Sequence, residues 1–61
     1  GPEDLKKLID KNKKANENFG KLSPSLRRTY LRWLFRAKMS ETRKKRVKII
    51  FEAVKNGKRV F

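Results

Sequence analysis

Sixty-one residues without a cysteine make one small domain, held together by its own core, since neither a disulfide framework nor a thiolate metal site can form. Lys and Arg number 19 against 6 acids, a formal charge of +13, which draws polyanions and repels cationic partners. With no histidine and no apolar run near the roughly 18 residues of a spanning helix, neither imidazole catalysis nor a helical membrane anchor is expected, and a cytoplasmic protein is the default.

Gly1 and Pro2 match the residue left by a purification protease, although Pro2 also suits a first helical turn. Glu3 and Asp4 in a first turn, followed by Leu5, Leu8, Ile9 and Asn12 at i, i+3, i+4 and i+7, predict a helix over residues 3 to about 12. Ala15 and Phe19, four apart, predict a short connecting helix of a turn or two that Gly20 ends. Ser23 is a good N-cap and Pro24 a good first helical residue. Leu26, Tyr30, Trp33, Leu34 and Ala37 then form one apolar stripe. After a break at 38–40, Ser40 is read as a second cap, with Glu41 complementing the dipole. The last helix runs from about Glu41 to Asn56 on Val47, Ile50, Phe51 and Val54, with Gly57 as its left-handed C′ residue and Lys58 to Phe61 as a frayed tail.

No strand alternation interrupts this pattern, so the fold class is all-α: a single domain over 1–61, a small bundle of three main helices plus one short connecting helix. Its expected core is Leu5, Leu8, Ile9, Phe19, Leu22, Leu26, Tyr30, Leu31, Trp33, Leu34, Val47, Ile50, Phe51 and Val54.

These residues also carry a resemblance. Pro2, Asp4 and Leu5; Ala15 and Phe19; Leu22 to Ser25; Arg27, Arg28, Tyr30, Leu31 and Trp33; Ala37 and Lys38; Glu41, Thr42, Arg43 and Arg46; and Gly57 and Lys58 together resemble the C-terminal helical domain of the YdeI/OmpD-associated (OmdA-like, bacteriocin-protection) family of bacteria. The chain departs from that pattern at Phe35 and Met39, where polar or basic residues are usual, and at Ser40, often Pro. The resemblance implies an all-helical fold and a physiological link to antimicrobial-peptide resistance and porins, and it implies no particular chemistry.

The charge is uneven. Residues 1–22 carry +2, residues 23–38 carry +5 without a single acid, and residues 39–61 carry +6. A charge run is ordinarily a solvated face, yet here only Glu41 toward Lys45 and Glu52 toward Lys48 offer compensation at i+4. Arg28, Arg32, Arg36, Lys38, Arg43, Lys44, Lys45 and Lys48 are therefore the candidate nucleic-acid contacts. Arg27 and Arg43 are equally candidates for locking helices together, because a guanidinium offers five donors in a fixed fork. Trp33 and Tyr30 read as core in preference to a base-stacking platform. Phe35 and Leu31 lie off the stripe, to be covered either by another helix or by a partner. Without a nucleophile–base pair, a glycine-rich phosphate loop or metal-ligand spacing, no enzyme, cofactor or metal is expected. The pattern points to duplex DNA bound through its phosphates, with a nucleoid-associated location. The alternative is an acidic protein or an anionic membrane surface, linked to envelope stress.

Overall fold

The computed structural model describes residues 2–61; Gly1, half of the proposed protease scar, lies outside the described residues. Four helices follow one another, α1 (Pro2–Lys11), α2 (Lys13–Lys21), α3 (Pro24–Phe35) and α4 (Ser40–Lys55), with no strand among the described residues. The fold is all-α.

Local chemistry sets most of the boundaries. Asn12 was expected on the apolar stripe of the first helix, but it is the N-cap of α2, where its Oδ1 accepts from the Ala15 N–H at 2.9 Å. A short amide side chain satisfying an orphan donor outweighs a polar place on a hydrophobic stripe. Gly20 does not end α2, which continues to Lys21 and stops at Leu22 in extended conformation. The physical reason lies downstream: Pro24 forces Ser23 out of the α region, at φ −64° and ψ 150°. Ser23 then caps α3, its Oγ accepting from the Leu26 N–H.

Ser40 is not the cap of α4. It is the first helical residue, and Met39 holds the N-cap position without a side-chain bond. The break between α3 and α4 thus covers 36–39, and the first turn of α4 relies on Glu41 for favourable charge. At the other end the expectation holds. Gly57 has φ +68°, and the Gly57 N–H to Val54 carbonyl and Lys58 N–H to Ala53 carbonyl bonds form a Schellman motif.

The core joins all four helices: Leu5 and Ile9 of α1, Ala15 of α2, Tyr30 and Leu34 of α3, and Val47, Ile50 and Val54 of α4. Phe19, Leu22, Leu26, Leu31, Trp33 and Phe51 pack around it half-buried. Leu8 departs from the expected core, standing 39% exposed, because Leu5 and Ile9 already face inward and Leu8 sits a rotation of about 100° from Ile9. Ala15 and Ala37 are buried instead, small side chains that let backbones come close. Asn18 reaches from α2 to donate to the Val54 carbonyl at 2.9 Å, an acceptor at the end of α4 that it shares with the Gly57 N–H.

The segment expected to fray after Gly57 does not: its last two residues turn back across α3 and pack there. The Val60 N–H donates to the Tyr30 hydroxyl at 3.1 Å. The Phe61 ring stands edge-on to Tyr30 and Trp33, with centroids 5.5 and 5.8 Å away. Tyr30 is wholly buried, so core packing is its role and base stacking is closed to it.

Two neighbours on α3 test this packing. Leu34 is 0% exposed and Phe35 54%, so Leu34→Ala should lower unfolding free energy by about 2 to 5 kcal/mol and Phe35→Ala by less than about 1 kcal/mol. Urea denaturation of the two variants beside the parent measures both.

Candidate functional site

The cations of α4 divide according to the turn of the helix, about 100° per residue. Arg43 and Arg46 lie on the flank that meets α3. The Arg43 Nη2 donates to the Ala37 carbonyl at 3.0 Å, and the Arg46 Nη1 donates to the Trp33 carbonyl at 2.6 Å. The Arg46 guanidinium also sits 4.8 Å from the centroid of the Trp33 ring. The Trp33 carbonyl belongs to the last turn of α3, where acceptors lack helical partners and the macrodipole is negative, and the Ala37 carbonyl lies two residues beyond that helix. Of the two roles open to Arg43 in the sequence, the structure shows the helix lock; its Nε is buried with no hydrogen-bond partner among the described residues. Arg46 was not among the candidates. Its signal was spacing, since Arg43, Arg46 and Ile50 at i, i+3 and i+7 share one face. Arg27 is half-buried, with its Cζ 6.0 Å from the Phe19 ring centroid.

Arg28, Arg32 and Arg36 are exposed and four residues apart, a single row along the outward side of α3 that Lys38 extends into the following turn. Phe35 and Met39, 54% and 67% exposed, stand at the same end. The choice left open for the off-stripe residues thus resolves differently for each. Leu31 is packed against the core, lining a hollow with Leu5, Ile9 and Phe19, whereas no described helix covers Phe35, which stays 54% exposed.

Lys44 and Lys48 occupy the opposite flank of α4 and look toward α1. With Lys7 and Lys11 they rim an open groove of about 650 Å³ floored by Leu8, Val47 and Phe51, with Asp4 and Glu52 also along its walls. Lys45, one residue on from Lys44, is exposed on the outer side of α4. The eight candidates therefore do not form one patch: three arginines and Lys38 go with α3, Lys44 and Lys48 with the groove, Lys45 with open solvent, and the half-buried Arg43 with the joint between α3 and α4. Lys7 and Lys11 were missed because the first 22 residues carry only +2 and their partners lie more than 30 positions away.

Among the described residues no group of three or more His, Cys, Asp or Glu is arranged to hold a metal ion. No described helix is long and apolar enough to cross a membrane.

A family model described as "Bacteriocin-protection, YdeI or OmpD-Associated" (OmdA) matches residues 2–57. The match takes in all four helices and the Gly57 cap. No curated protein and no solved structure matches the chain.

The arginine lock has a direct test. Arg46→Ala removes a charged hydrogen bond and a ring contact and should cost about 2 to 3 kcal/mol of unfolding free energy. Arg46→Lys keeps the charge but cannot both stack and reach the carbonyl, so it should recover at most about half of that loss. Lys45→Ala, at an exposed position, should stay within about 0.5 kcal/mol of the parent. Chemical denaturation at fixed salt reads all three.

Proposed function

The chain belongs to the Bacteriocin-protection, YdeI or OmpD-Associated family, and from that premise we propose that it is a basic helical binding domain whose ligand is nucleic acid, duplex DNA foremost, held by its phosphates. The observation that carries this reading is the exposed row Arg28, Arg32 and Arg36, in a segment with no acid between Glu17 and Glu41. Residues four apart on a helix are separated by about 6 Å along the axis, and a duplex strand offers a phosphate charge every 3.4 Å or so. A row of three guanidiniums on one helix face can thus follow one strand, each fork donating to phosphate oxygens. Lys38 extends the row, and Lys45 adds charge from α4. Contacts of this kind give affinity and orientation without reading bases.

The domain acts as a surface and not as an enzyme, in a cytoplasmic setting next to DNA. At +13 it cannot capture cationic peptides by charge. A part in bacteriocin protection would run through an anionic target or a partner instead.

One observation favours a second reading. Phe35 and Met39 project beside Arg36 and Lys38, and phosphates have no use for exposed apolar side chains, whereas an anionic lipid surface accepts both kinds of group.

Fluorescence anisotropy on a labelled duplex distinguishes the two. Five phosphate contacts predict a slope of log K against log salt of about −4.5 and a loss of roughly 500-fold between 50 and 200 mM salt. Arg28→Gln/Arg32→Gln/Arg36→Gln should bring the slope to about −1.8 with unchanged circular dichroism. No binding at 50 mM salt, or an unchanged slope, removes the DNA reading. Co-sedimentation with anionic vesicles that is lost in Phe35→Ser/Met39→Ser would install the lipid reading in its place.

A further inference from the structure

We infer that the groove between α1 and α4 is a docking site for a short acidic amphipathic helix supplied by a protein partner. The site is built differently from the α3 row. Its walls carry Lys7 and Lys11 on one side and Lys44 and Lys48 on the other, each pair spaced as one face of its helix, and its floor is Leu8, Val47 and Phe51. Leu8 breaks the expected core at 39% exposure and Phe51 is half-buried, while Val47 closes the bottom at 5%. The apolar floor is therefore reachable from outside. Asp4 is already engaged within the protein, and Glu52 lies four residues after Lys48, so the walls keep an excess of positive charge.

Shape separates this occupant from the other polyanions. A duplex presents sugar and phosphate, which would satisfy the lysines and leave the floor unfilled. A bilayer takes apolar groups that project beyond the cations, whereas here Val47 is buried and Phe51 half-buried. A helix with carboxylates on both flanks and an apolar ridge between them satisfies walls and floor at once, in the helix-in-groove mode. The lysine stems can lie along the ridge while their ammonium groups pair with the flanking acids. The wall residues run from Asp4 to Lys11 and from Lys44 to Glu52, about 10 to 12 Å of helix axis. The matching partner segment is two to three turns long, with apolar residues at i, i+3, i+4 and i+7 and Asp or Glu beside them.

The test is an NMR titration of the whole chain with a helical 14-residue peptide bearing Leu at those four positions and Glu on both flanks. Amide shifts should gather at residues 4–11 and 44–52. Replacing the peptide's Leu by Ser, or its Glu by Gln, should each weaken binding at least tenfold. Lys7→Gln/Lys11→Gln/Lys44→Gln/Lys48→Gln should do the same from the protein side, as should Leu8→Ser, at a position 39% exposed, with unchanged circular dichroism. The Arg28→Gln/Arg32→Gln/Arg36→Gln variant should bind the peptide as the parent does, so that this inference and the DNA reading can fail separately. Shifts confined to α3, indifference to the loss of Leu, or binding unchanged in the four-lysine variant would overturn the groove assignment. Displacement of the peptide by duplex DNA with dependence on the same four lysines would overturn it too, handing the groove to the polyanion.

Discussion

The contact on which the rest of this small structure depends is the reach of Arg43 and Arg46 from α4 to carbonyls in the last turn of α3 and just beyond it. A chain of 61 residues at +13 repels itself in any compact state, and α3 and α4 hold most of that charge. Turning two guanidiniums onto carbonyls at and just past the negative end of a helix converts part of the repulsion into a clamp. Arg46 over Trp33 adds the ring to the same joint. The joint seats Trp33, Trp33 and Tyr30 receive Phe61, and Tyr30 receives the Val60 N–H. The end of the chain is thereby tied to the middle.

With that joint made, the outward charge is sorted by helix geometry. α4 meets α3 along Arg43 and Arg46 and meets α1 along Lys44, Val47, Lys48 and Phe51. Residues adjacent in sequence consequently serve different surfaces. The run from Arg43 to Lys48 looks like one basic block in the sequence and is, in the fold, a half-buried lock, a groove wall and an open face. The two proposed binding surfaces differ for the same reason. α3 offers charge on a convex helix, suited to a backbone of phosphates. The α1/α4 groove sets charge above apolar surface, suited to a partner that brings both.

Most of the fold was legible residue by residue. The Ser23–Pro24 start, the stripe through Tyr30 and Leu34, the stripe through Val47, Ile50 and Val54, and the left-handed Gly57 were all readable, because caps and 3.6-residue periodicity act over a few positions. The family match over residues 2–57 agrees with the motif residues that suggested it. Boundaries failed where two local rules competed. Asn12 could lie on a stripe or cap the next helix, Gly20 could end a helix or ride in one, and Ser40 could cap α4 or begin it. Cap against stripe at Asn12 and a proline downstream of Gly20 decided the first two, and the third left Met39 at a position its side chain cannot satisfy.

By itself, then, the sequence determined the all-α class, the number of amphipathic stripes and the excess of cations over acids. These follow from residue types and from spacings within a single helix. Only the tertiary structure decided which cations face which partner. That Arg46 belongs to Trp33, that Lys7 and Lys11 stand opposite Lys44 and Lys48, and that Leu31 is covered while Phe35 is not are facts about pairs of helices. The rotation of one helix against another is set by the whole core of Leu5, Ile9, Ala15, Tyr30, Leu34, Val47, Ile50 and Val54 packing together, and no single stretch of the chain contains it.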